Sequence, residues 1–133
     1  MIGLVVAAHG NLGSELLMSA QMIIGPVINA RAVSITHDSS MEVIRAAIAE
    51  AVAEVGKDEQ GVIIVTDMFG GTPANVSMTF LEPQSVEVMT GVNLPMILKF
   101  FNSQETIGLD ELAGILKSYG QQSIALASEY LQR

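Results

Sequence analysis

The sequence has no cysteine, only two histidines, and six basic residues against 14 acidic ones in 133. Without cysteine there are no disulfides, no thiolate nucleophile and no cysteine-ligated zinc or iron–sulfur centre. His9 and His37 are too few for a histidine-rich metal site, and neither a metal nor another cofactor is expected. The basic residues Arg31, Arg45, Lys57, Lys99, Lys117 and Arg133 are scattered, which leaves no patch to hold a nucleic acid. No apolar run approaches the ~20 residues that cross a bilayer, so direct membrane insertion is not expected. The opening Met1-Ile2-Gly3-Leu4-Val5-Val6-Ala7-Ala8 has no basic stretch and is interrupted by His9-Gly10-Asn11. That is not a secretory leader, and a cytoplasmic location is the expectation.

What is present is ample core material. Apolar residues make up 50% of the chain and charged residues 15%, with a formal net charge of −8. The length suits one domain, residues 1–133, closing one hydrophobic core. No internal linker or repeat divides it.

Strand and helix signals alternate. Ile2 to Ala7 is a continuous apolar strand of the kind buried in parallel sheets. Asn11 can cap a helix with a stripe of Leu12, Leu16, Ala20, Ile23 and Ile24, ended by Gly25-Pro26. Val27 to Ile35 reads as a second strand. Ser39 and Glu42 fit a capping box before a helix burying Val43, Ala47, Ala51 and Val55. Gly61 to Thr66 is a third strand, and Thr72 caps a helix with Pro73 in its first turn. Val86 to Thr90 is a fourth strand. A short helix from Leu94 to Phe100 and a long one from Thr106 to Leu131 complete the chain. The pattern predicts a three-layer α/β/α sandwich around a mainly parallel four-stranded sheet.

In such a sheet the loops after the strands share one edge, where ligands bind. That edge collects His9-Gly10-Asn11, Thr36-His37-Asp38, the run Asp67 to Pro73, and Gly91-Val92-Asn93. If strands one and three are neighbours, His9 and Asp67 face one crevice. A carboxylate on one imidazole nitrogen fixes the tautomer and leaves the other as an unprotonated nucleophile. Gly70 and Gly71 let a ligand approach backbone amides, and with the Thr72 hydroxyl and the start of the next helix they make an anion seat. No lysine or arginine lies in these loops. Backbone amides and dipoles would neutralise an anion there.

His9-Gly10 after an opening strand, and Asp67-Met68-Phe69-Gly70-Gly71-Thr72-Pro73-Ala74-Asn75 after the third, resemble the IIA component of the mannose family of the bacterial phosphoenolpyruvate-dependent sugar phosphotransferase system. The likeness extends over the chain and includes Gly91-Val92-Asn93-Leu94-Pro95-Met96. The resemblance implies a phosphotransferase that works as a phosphohistidine carrier. His9 takes a phosphoryl group from the phosphocarrier HPr and passes it to a IIB component, and through IIB to membrane IIC and IID components. It implies that Asp67 pairs with the active histidine and that Gly71 and Thr72 lie beside the phosphoryl group, to which Gly10 and Gly70 are added as expected phosphoryl-binding residues from the loop reading. It also implies a homodimer, with a fifth edge strand exchanged between subunits, which the segment after Val86 could supply. Asn75 belongs to the signature. Ala8 departs from it, because family members commonly have threonine before the histidine. No IIB sequence follows, so donor and acceptor are expected to be separate proteins.

Other readings stay open at this point. The same family includes regulatory phosphoacceptors and a subunit feeding a dihydroxyacetone kinase. From another class, a small phosphatase or phosphate-binding module would use the same loops. His37-Asp38-Ser39 reads most simply as a turn and helix entry, with His37 a rival contact for substrate or partner. Gly91 and Asn93 are expected to line the edge, Asn93 capping the Leu94 helix. Met68 and Phe69 either anchor their loop or present an apolar contact to a partner protein.

Overall fold

The computed structural model describes residues 1–131, so Arg133 lies outside the described residues. The elements alternate as expected: β1 (Gly3–His9), α1 (Leu12–Ile24), β2 (Ala30–Ile35), α2 (Met41–Val55), β3 (Val62–Thr66), α3 (Thr72–Met78), β4 (Val86–Thr90), α4 (Leu94–Ser103), α5 (Leu109–Gln122) and α6 (Ala127–Tyr130). The four strands form one parallel sheet in the order β2-β1-β3-β4.

Alternation along the buried strands feeds two cores. Leu4, Val6, Ile63 and Val65 pack toward α1, α4 and α5, with Ile97, Phe100, Leu112 and Leu116. Val5, Ala7, Ile64 and Val33 pack toward α2 and α3, with Ile44, Ile48, Val55 and Val76. This is the expected α/β/α sandwich. Each fully buried large aliphatic side chain stabilises it by about 1.5–3 kcal/mol.

Several local expectations are corrected. β1 runs through His9, so the histidine is the last strand residue, opposite Ile35, and does not stand beyond the strand. β2 begins only at Ala30, because Pro26 and the left-handed Asn29 (φ 60°) delay it. The Ser39–Glu42 capping box is not formed. Ser40 is the cap, its Oγ accepting from Val43 N at 3.2 Å, while Ser39 Oγ accepts from Thr36 N. Of the expected stripe, Ala51 and Val55 are buried and Ala47 packs against the core, while Val43 is exposed and Ile44 and Ile48 complete the buried face. α1 approaches the sheet through its small residues Gly13 and Ala20. A Cβ on Gly13 would come within 2.9 Å of the Val6 carbonyl, and Leu12, Ile23 and Ile24 consequently stay exposed.

The expected long last helix is two. It stops at Ser123, whose hydroxyl donates to the Tyr119 carbonyl at 2.7 Å, and resumes as the short α6. Gly120 is buried inside α5, where a Cβ would meet Met96 Cε at 2.8 Å, so its smallness lets α4 pack close. Among the described residues, no helix is long and apolar enough to cross a membrane.

Candidate functional site

Two strand ends meet at the site. β1 and β3 are neighbours, with Ala7 opposite Thr66, so the next residues along each strand, Ala8–His9 and Asp67, lie side by side. His9 Nδ1 is 2.7 Å from Asp67 Oδ2, and the same oxygen accepts the His9 backbone N–H at 3.1 Å. The other oxygen, Oδ1, accepts Met68 N–H at 3.0 Å. The His9 side chain is 54% exposed and that of Asp67 only 13%. The carboxylate is therefore a fixed base plate, and the ring stands up from it toward solvent.

Burial pushes the Asp67 carboxyl up, but opposing effects win. The hydrogen bonds from the His9 ring and His9 amide, the charge of the ring when protonated, and Asp67's own backbone hold it below the ordinary aspartate value of 3.8. An ionised carboxylate has no proton to give. The His9 ring must donate from Nδ1, so in the neutral ring the lone pair lies on Nε2.

Gly71 closes the other side of the ring. A Cβ built on it would stand 3.2 Å from His9 Cε1 and 3.8 Å from Nε2. Its backbone is extended (φ −89°), so what glycine supplies here is room beside the ring and not a special conformation. Gly70 is the opposite case, with φ +89° and open space around it. The two neighbouring glycines do different work.

Thr72 is corrected from cap to first helical residue. Gly71 holds the cap position of α3, with Pro73 next in the first turn. Pro73 removes one amide from that turn. Met68 and Phe69 do not anchor the loop, being 54% and 73% exposed beside the histidine strand end. Asn75 is exposed, and its backbone N–H returns to the Gly71 carbonyl at 2.9 Å, tightening the turn.

The remaining residues fall further out. His37 is exposed in the turn after β2. Gly91 (φ +84°) is held by its N–H to the Thr66 carbonyl at 3.0 Å. Asn93 caps α4 as expected, its Oδ1 accepting from Met96 N at 3.1 Å, while its Nδ2 donates to the Gly120 carbonyl at 3.0 Å. Both ends of that amide are occupied in joining α4 to α5. Gly91 and Asn93 line a groove of about 330 Å³ between β4 and α5, together with Val88, Lys117 and Ile124. Sequence reasoning passed over Ser34, whose hydroxyl donates to the Gly10 carbonyl at 2.6 Å. Only the β1–β2 register reveals that contact.

Comparison with known proteins identifies the family. The EIIA-man family, described as the fructose IIA component of the PTS, matches residues 3–116. The chain is 31% identical to the fructose-specific EIIA component of the PTS of Bacillus subtilis, over 100% of this chain and 91% of that one. Among solved structures, the PTS IIA protein associated with the fucose utilization operon of Streptococcus pneumoniae is 30% identical. It superposes with a TM-score of 0.85 over 98% of this chain and 96% of that one. The phosphotransferase system component EIIA of Streptococcus agalactiae gives a TM-score of 0.87 at 26% identity, over 97% and 99% of the two chains. A histidine oriented by a carboxylate beside a Gly-Gly-Thr-Pro turn, on this fold and with these relatives, identifies a phosphotransfer domain of sugar transport: the chain belongs to the EIIA-man family of IIA components of the phosphotransferase system.

Proposed function

We propose that this chain is a single-domain phosphohistidine carrier, taking a phosphoryl group from HPr on His9 and handing it to a IIB component. The observation that carries the reading is the 2.7 Å contact of His9 Nδ1 with Asp67, which in the neutral ring assigns the lone pair to Nε2. In the first transfer the Nε2 lone pair attacks phosphorus on the phosphohistidine of HPr. The P–Nε2 bond forms as the P–N bond to HPr breaks, and that electron pair returns to the donor imidazole. The Nδ1 proton stays between His9 and Asp67, whose negative charge stabilises the positive character of the phosphorylated ring. The second transfer reverses these roles toward IIB.

Gly10, Gly70, Gly71 and Thr72 form the seat for the transferred oxygens. Gly71 gives them room, and Thr72 offers an amide and a hydroxyl. With no lysine or arginine in these loops, the group is held by neutral donors and is easily passed on. Met68 and Phe69 are the apolar contact for the partner, with Asn75, His37, Gly91 and Asn93 at greater distance. The net charge of −8 would steer a basic-faced donor.

The same reading includes a cytoplasmic homodimer that reaches the membrane components through IIB. β4 is an edge strand, and among the described residues the segment 124–126 belongs to no helix or strand, with Leu126 extended at φ −94° and ψ 117°. Its Ile124 is 79% exposed and Leu126 61%. This segment, not one directly after Val86, is the one available to add a fifth strand to a second copy.

Incubation with phosphoenolpyruvate, the general phosphotransfer enzyme and HPr, followed by intact mass analysis, tests the proposal. One phosphoryl group should be gained, lost in His9→Ala, and discharged on adding a cognate IIB. Steady release of inorganic phosphate from small phosphoesters without HPr would instead make the protein a phosphatase.

A further inference from the structure

A second strand holds the turn that follows His9. On β2, the Ser34 hydroxyl donates to the Gly10 carbonyl at 2.6 Å, and the Gly10 N–H donates to the Ile35 carbonyl at 2.9 Å. Ser34 lies opposite Ala8, and Ile35 opposite His9. The brace therefore grips the backbone one residue past the histidine, on the side away from Asp67. Gly10 has φ +57°, and nothing stands within 4 Å of where its Cβ would be. Glycine visits both hands of φ almost equally, so packing alone does not select this one.

A trans peptide sets its C=O and N–H on opposite sides. With the Gly10 carbonyl tied to the Ser34 hydroxyl, the Asn11 N–H in the same peptide plane points away from that hydroxyl. A flipped peptide would put a carbonyl oxygen where that N–H is. Beside a phosphoryl group, the flip exchanges a donor for a repelling dipole.

We infer that Ser34 is a positioning residue for phosphoryl transfer at His9, its hydroxyl fixing the Gly10–Asn11 peptide so that no carbonyl oxygen faces the phosphoryl group. The role rests on the reading of His9 as the carrier. Asp67 orients the ring from β3, and Ser34 orients the adjoining peptide from β2. The histidine strand is thus held from both neighbours.

The test compares wild type, Ser34→Ala and Ser34→Thr, with His9→Ala alongside, in transfer from phosphorylated HPr over a range of donor concentrations. The Asn11 amide nitrogen resonance is followed in parallel, because it reports hydrogen bonding to the carbonyl of its own peptide. Ser34→Ala should transfer about three- to tenfold more slowly at saturating donor, as one lost hydrogen bond implies. Its donor KM should be unchanged and its Asn11 resonance displaced. Ser34→Thr, which keeps the hydroxyl on a side chain suited to a strand, should restore both. A labelled wild type with Ser34→Ala equally fast overturns the role of Ser34 alone, as does a Ser34→Thr chain that regains the resonance without the rate. A wild type that takes no label on His9 overturns the carrier reading, and the role of Ser34 with it.

Discussion

One oxygen of Asp67 holds two atoms of His9: Oδ2 lies 2.7 Å from the ring Nδ1 and 3.1 Å from the backbone nitrogen. The carboxylate thereby fixes where the residue sits, how its ring is turned and which nitrogen carries the proton. Replacing it should impair all three. Asp67→Ala is expected to slow phosphorylation by about 10- to 100-fold, the usual cost of losing the group that orients a working imidazole. Ring nitrogen resonances in the variant should show a mixture of tautomers in place of the Nδ1–H form. A single unchanged tautomer would mean that Asp67 does not set it.

Acid should reveal the same contact. The folded-state pKa of Asp67 is held below its ordinary value, so the unfolded chain binds that proton more readily than the folded one. The resulting stability is present above the ordinary value and is lost as pH falls through the folded one. Denaturation midpoints of wild type and Asp67→Asn should therefore converge from about pH 5 downward. Parallel curves across that range would contradict the assignment.

The paired glycines should fail differently. Gly71→Ala has an ordinary backbone but places a methyl 3.2 Å from His9 Cε1. Its stability should change by less than about 1 kcal/mol while transfer falls by roughly tenfold or more. Gly70→Ala meets no atom but must adopt φ +89°. It should lose about 1–2 kcal/mol of stability. Chemical denaturation and transfer rates on the two variants separate room from conformation.

Met68 and Phe69 are exposed beside the site, so their removal should spare the fold. The double change Met68→Ser with Phe69→Ser should raise the KM for phosphorylated HPr by roughly tenfold or more. Its maximal rate should change far less. If charge also steers the donor, added salt should slow association in wild type and variant alike. A KM insensitive to both changes would place docking elsewhere.

The sequence made the site more legible than the helices around it. β3 and the run Asp67 to Pro73 carry local signals, buried β-branched residues followed by a Gly-Gly turn, and both elements lie within one residue of where those signals put them. The meeting of His9 with Asp67 needed one fact that spacing does not encode, the adjacency of β1 and β3. Helix faces went astray where small residues decided the packing. Gly13 and Ala20 seat α1 on the sheet with Leu16 and Leu17 packed beside them, while Leu12, Ile23 and Ile24 are exposed. On α2 the buried face keeps Ala51 and Val55 but takes Ile44 and Ile48 in place of Val43. Ser34 was invisible for a related reason, since an exposed serine in a strand acquires meaning only from the carbonyl opposite it.

The most direct measurement is the attachment site of the phosphoryl group, read by long-range proton–nitrogen correlation on the phosphorylated protein. Phosphorus bonded to Nε2 of His9, with Nδ1 still protonated toward Asp67, is the predicted result. Phosphorus on Nδ1, or on His37, would contradict it.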